Sequence, residues 1–297
     1  MTAFRLKRKE STPDGIRRVA HERTQDAVDR LRDPDADPVE AVHESRKDLK
    51  KLRAALKLVR PELGEAAYDR ENSRYRAAGR ELSDARDAQV RAETVDALAK
   101  RFADDPPPGG WWTVRALIVG DGEVSEAELA AVRERVAAEV DRGDAAVDSW
   151  ELDDAGFALL RRGLKRAYAR GRKRYLQARE DPGDEALHEF RKRSKDLWYH
   201  LRLIREAWPE VLQSAADEAH ELSDRLGDDH DLVVLTEYLT NDGPALTSAQ
   251  LEHLRGQIEA RRAELQGEAF AYAERLYAEK PKRFVARIGA YWKARKI

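Results

Sequence analysis

The chain contains no cysteine, which excludes disulfides and thiolate-held metals. It has no run approaching the ~18 consecutive apolar residues of a membrane-crossing helix. Residues 1–10 are basic and lack the apolar centre of a secretory signal. A soluble, cytoplasmic protein is the expectation. There is no GxSxG, no Walker loop, no GxGxxG opening a helix and no HExxH. No nucleophile constellation remains, so neither an enzyme nor a cofactor is expected. Alternating apolar-polar runs of the strand type are missing as well. Net charge is close to absent too, at −2 from 55 basic and 57 acidic residues. A globally basic, nucleic-acid-like balance is therefore lacking.

What is present is helix-forming and charged. Hydrophobic residues make up 41% and charged residues 38%, against a usual quarter charged. Such a composition favours helices with heavily charged outer faces. Breakers are few. They fall at residues 33–38 (Asp-Pro-Asp-Ala-Asp-Pro), at Pro61, at residues 104–110 (Asp-Asp-Pro-Pro-Pro-Gly-Gly), at 181–183, at 227–229 and at 241–244. The stretch 104–110 reads as a linker.

A helical unit occurs twice. Residues 42–60, VHESRKDLKKLRAALKLVR, align with residues 187–205, LHEFRKRSKDLWYHLRLIR, about 145 positions later. His43, Glu44, Arg46, Lys47, Lys50, Leu56 and Arg60 fall on His188, Glu189, Arg191, Lys192, Lys195, Leu201 and Arg205. A second block follows each copy. LSDARDAQV from Leu82 aligns with LGDDHDLVV from Leu226, setting Arg86 on His230 and Asp87 on Asp231. The preceding helices align likewise, with Arg17 on Arg161 and His21 on Lys165. The expected fold is all-α, with two bundle-like repeats related by a pseudo-twofold axis: 12–104, then a linker and helical insert at 105–152, then 153–297. Ser125 is placed to cap the insert helix.

The repeated helix is split by charge. With His43 at zero and about 100° per residue, Arg46, Lys47, Lys50 and Lys57 lie within about 60° of it. Val42, Leu49, Leu52, Leu56 and Val59 lie opposite. In the second copy Arg191, Lys192, Lys195, Arg202 and Tyr199 share the face of His188. Leu187, Phe190, Leu197, Leu201 and Ile204 lie opposite. Cations at such spacing repel one another, and Glu44 and Asp48 stand off to the side. A row of this kind favours an anionic partner. Arginine offers a planar fork to phosphate oxygens, lysine a point charge, and histidine a donor that phosphate itself helps to protonate. Arg161 and Lys165, in a second dense basic run, flank the row and extend it.

These paired HExRKxxK helices, each followed by an LxDxxD block, resemble the CHAD domain (conserved histidine alpha-helical domain). The resemblance spans about residues 12–296 and makes the two repeats one domain. It implies two four-helix bundles with a basic groove or pore between them, binding of inorganic polyphosphate, and association with polyphosphate granules and their proteins. The family's basic positions fall on His43, Arg46, Lys47, Lys50, Arg86, His188, Arg191, Lys192 and Lys195. His230 stands where the family has arginine, and Asp196 where a second lysine follows the first. The ExExK strand of the hydrolase domain that often accompanies CHAD domains is absent from this sequence.

Other readings are weaker. Nucleic-acid binding would draw on Trp111 and Trp112 for base stacking, but such a pair is more often a linker anchor. Trp198, Trp208 and Trp292 read as packing or groove-edge residues. A metal site for phosphate processing would need His43 with Glu44 or His188 with Glu189, and adjacent helix residues diverge. The run Asp228-Asp229-His230-Asp231 reads as an acidic cap at a helix N-terminus rather than as a metal site. A scaffold that recruits a partner protein would need an exposed apolar patch.

Overall fold

Helix starts follow the breakers. Ser11 accepts the Asp14 amide ahead of α1 (Thr12–Arg32), and Asp37 accepts the Glu40 amide ahead of α2 (Pro38–Leu63), each with a proline in the first turn. Gly64, at φ 82°, ends α2. The helices α3 (Glu65–Asp84), α4 (Asp87–Arg101), α5 (Gly110–Val119) and α6 (Glu126–Asp144) follow, then a 3₁₀ turn at Val147–Ser149. The second half comprises α7 (Phe157–Glu180), α8 (Asp184–Leu203), a 3₁₀ turn at Arg205–Ala207, α9 (Pro209–Asn241), α10 (Ser248–Leu276) and α11 (Pro281–Ala294). A reciprocal Thr247–Gln250 capping box opens α10. The computed structural model describes residues 4–84, 87–119, 126–153, 156–241 and 245–295, and among these every regular element is helical.

Packing closes two rings. Helices α1, α2, α3 and α6 pack round in a ring, with α2 and α6 also touching across it, and α7, α8, α9 and α10 pack in a second ring that closes with a slight contact of α7 and α10. The rings join where α2 meets α7 and α8. Residues 126–144 thus lie across α1 and α3 as α6. The predicted inner faces of α2 and α8 are buried throughout, from Val42 to Val59 and from Leu187 to Ile204. At the crossing, buried His200 donates from Nε2 to the Ala54 carbonyl at 2.8 Å. A main core runs through both rings. A second, smaller core is formed by Val95 and Leu98 of α4, Val114 and Ile118 of α5, the distal part of α9 and the first half of α10.

Three local expectations change. Residues 227–229 do not break the chain, because α9 runs straight through them. The Asp228–Asp231 run is therefore mid-helix and caps nothing. Pro61 lies inside the last turn of α2 rather than ending it. The N-terminal segment, read only as basic, is also structural. Phe4 and Leu6 are buried, and the Leu6 amide donates to the Leu203 carbonyl at 2.8 Å. No helix among the described residues is long and apolar enough to cross a membrane.

Candidate polyanion-binding cavity

Helices α2 and α8 bring the two copies of the motif to one place. His43 and Lys50 from α2, and Arg191 and Lys195 from α8, line a single cavity of about 340 Å³. Its other walls come from α4, α9 and α10. They carry Glu93, Asp228, Asp231 and Arg261 among apolar side chains such as Val90, Leu98, Leu232 and Leu265. Among the described residues, none of α5 or α6 belongs to that lining. The cavity lies between the two cores, with a basic floor and a roof that is part acidic, part apolar.

Backbone and burial set the floor. Arg191 lies along α9 at Gly227, where an added Cβ would sit 3.5 Å from its Nε. That is ordinary van der Waals distance, so the guanidinium packs along the helix without requiring the glycine. Arg191 Nε and His188 Nδ1 are buried without hydrogen-bond partners among the described residues, so both retain donor capacity or a lone pair for a ligand. Lys195 is largely buried. Burial, then the charge of Arg191, pulls its pKa down to about 8, with Arg46 adding to the effect. Neither His188 nor His230 is among the residues lining the cavity; their rings stack on each other with centroids 4.2 Å apart. Burial lowers the pKa of both, helped by Lys192 and Arg191, and takes His230 to about 4. On the roof, burial raises the pKa of Asp228 and of Asp231, despite Arg191 and Lys195 beside the latter.

The other candidates divide. Arg46 is half-buried near Lys195. Lys47 and Lys192 are exposed and pair with Glu44 at 2.5 Å and with Glu189 at 2.7 Å. The same local ion pair therefore occurs in both copies. The cation row is not uncompensated, as the wheel alone suggested: these glutamates and the roof carboxylates face it. Tyr199 leaves the basic face. It is 3% exposed, stacked on Trp198 and edge-on to Phe4. Arg202 lies over the Phe4 and Trp198 rings instead of the cavity. The N-terminal segment has claimed both residues.

Arg17 is a structural staple, donating to the Trp150 carbonyl at 2.7 Å. Lys57 pairs with Asp196 at 2.6 Å in a different cavity. Arg161 and Lys165 are exposed on α7 and line neither cavity. Arg86 and Ser125 lie outside the described residues. Of the tryptophan pair only Trp111 anchors, donating to the Phe102 carbonyl at 3.3 Å, while Trp112 is 82% exposed. Trp208 is half-exposed beside Tyr291, and Trp292 is buried against Phe157.

Sequence reading missed Arg261 and the roof acids. Asp231 carried a signal, since it aligns with Asp87 in the repeat. Arg261 and Glu93 carried none, because only the tertiary packing of α10 and α4 turns them inward. A larger open depression of about 470 Å³ lies between Phe102 and the start of α10. With Asp105 and Glu252 against a lone His253, it has no chemistry for a polyanion. Among the described residues no cluster of three or more histidine and carboxylate side chains is arranged to hold a metal ion.

Comparison with known proteins follows this geometry. A family model described as the CHAD domain matches residues 17–240. No curated protein matches the chain. Among solved structures, the crystal structure of the CHAD domain from the plant Ricinus communis is similar with a TM-score of 0.54, over 97% of this chain and 95% of that one, at 19% identity. At that identity the likeness speaks for the fold.

Proposed function

We propose that this chain, which belongs to the CHAD-domain family, binds inorganic polyphosphate along the floor of the α2–α8 cavity. One observation carries the reading: basic side chains about 145 residues apart, His43 and Lys50 on one helix and Arg191 and Lys195 on the other, converge on one cavity. A linear phosphate chain offers closely spaced negative charges and no base to stack. Arg191 engages phosphate oxygens as a fork, while Lys50 and Lys195 act as point charges. The stacked His188–His230 pair lies beyond the lining, and a bound anion would favour its charged form. On the roof, burial raises the pKa of Asp228 and Asp231, which lessens their repulsion of a neighbouring anion. The role is binding without turnover, and it would hold the protein at polyphosphate granules in the cytoplasm.

The test is titration with long-chain polyphosphate at several salt concentrations. The logarithm of affinity should fall linearly with the logarithm of salt, by analogy with other polyanions. The double variant Arg191→Glu/Lys195→Glu should keep its helical circular dichroism, lose roughly tenfold or more in affinity and show a shallower salt slope. Unchanged affinity in the folded variant would sink the assignment. Single-stranded RNA at the same ionic strength is the competitor that distinguishes general nucleic-acid binding.

A further inference from the structure

Lys57 belongs to the basic face of α2 but ends in a second cavity, of about 40 Å³, together with Arg60, Arg166, Arg170, Arg193 and Asp196. Five of those six side chains are cationic. With about 100° per residue, Arg193 and Asp196 stand on the opposite face of α8 from Arg191 and Lys195, so the body of α8 separates the two cavities. Their linings share no residue.

The charges here are only partly balanced. Asp196 accepts from Lys57 at 2.6 Å and from Arg193 at 3.1 Å. Exposed Glu65 pairs with Arg60 and reaches Arg166 at 3.8 Å. Arg170, exposed at the pocket's outer edge, has no ion pair among the described residues. Its pKa is lowered by burial and then by Arg166, Arg193 and Arg60. Burial lowers the pKa of nearby Arg53 against the pull of Asp196, and its Nε donates to the Asn72 amide oxygen at 3.1 Å. The frame around the cavity is rigid. Gly163 of α7 packs so tightly on α2 that a Cβ would collide with the Leu58 carbonyl.

We propose that this pocket binds one tetrahedral phosphate-type oxyanion, held chiefly by Arg170, Arg166 and Lys57. A water needs roughly 10–15 Å³ of such space, so the pocket suits a single oxyanion and not a chain. Lys57 comes from one ring, and Arg166, Arg170 and Arg193 from the other. A bound oxyanion therefore clamps the rings together at the base of the α2–α8 crossing. The site stands independently of polyphosphate binding in the main cavity.

Orthophosphate titrated at ionic strength held constant with chloride should raise the thermal-unfolding midpoint saturably, by a few degrees. Arg170→Gln should abolish that rise, as should Arg166→Gln should the first variant fold poorly. Lys195→Gln should retain it. No saturable rise over chloride in the wild type, or a rise kept by Arg170→Gln and lost by Lys195→Gln, overturns the proposal. A second arm identifies the source. If Arg170→Gln leaves long-chain polyphosphate affinity unchanged, free orthophosphate is the ligand. If its affinity loss scales with the concentration of chain ends, the terminal phosphate is the ligand. Failure of the main-cavity reading would appear separately, as polyphosphate binding insensitive to Lys195→Gln.

Discussion

Lys195 shows how one residue can make the main cavity responsive to pH. Burial and Arg191 hold its pKa at about 8, against 10.5 for an ordinary lysine. Below pH 8 the folded protein keeps the amine charged against that preference, so its contribution to stability is unfavourable there. As pH climbs from about 8 towards 10.5 the unfolded chain binds more protons than the folded one, and stability rises. The full effect is at most of order 3 kcal/mol. Polyanion affinity runs the other way and should decline between pH 7 and pH 9 as the charge is lost. Lys195→Met should flatten both profiles, followed by denaturant unfolding and by polyphosphate titration across that range. A stability profile in Lys195→Met that still climbs as in the wild type would place the titrating group elsewhere. The His188–His230 pair adds to the same trend at lower pH, since burial disfavours its charge until an anion is present.

At the scale of the element, the decisive contact is the crossing of α2 and α7. Gly163→Ala would drive a methyl into the Leu58 carbonyl, and overpacking of that kind costs about 1–3 kcal/mol. Gly267, mid-helix in α10, has nothing within 4 Å of an added Cβ. Gly267→Ala should therefore stabilise by roughly 0.5–1 kcal/mol through helix propensity. Chemical denaturation of the two variants measures both effects, and equal midpoints would contradict the close crossing. The same element scale marks what the sequence could reveal. The inner faces of α2 and α8 were legible because burial follows the 3.6-residue period, and Val42, Leu49, Phe190 and Leu201 are buried as that period requires. The outer faces were less so, because the neighbour decides what a cation does. Lys57 and Lys50 share one wheel position, yet one meets Asp196 and the other the main cavity. Tyr199 had the right angle and was covered by Phe4. Gly227 had the composition of a break but lies mid-helix beside Arg191.

At the scale of the whole molecule, the cavity lies at the seam between a large core and a small one. The floor helices α2 and α8 belong to the large core. The α4 wall, with Glu93 and Thr94, belongs to the small core shared with α5, distal α9 and α10. Less apolar area is buried there, so local opening should take less free energy than global unfolding. Amides of α4 and α5 are therefore expected to exchange with deuterium faster than those of α2 and α8. A polyphosphate chain bound along the floor should slow them, because it fills the space under the α4 wall and is released when that wall opens. Val114→Ala removes a fully buried group from the small core and should weaken it by roughly 1–3 kcal/mol. Exchange in α4 and α5 should then rise, with little change in α2 and α8, and polyphosphate should dissociate faster. Exchange that changes by the same factor in all four helices would mean that the two cores open as one unit and that the roof does not move by itself.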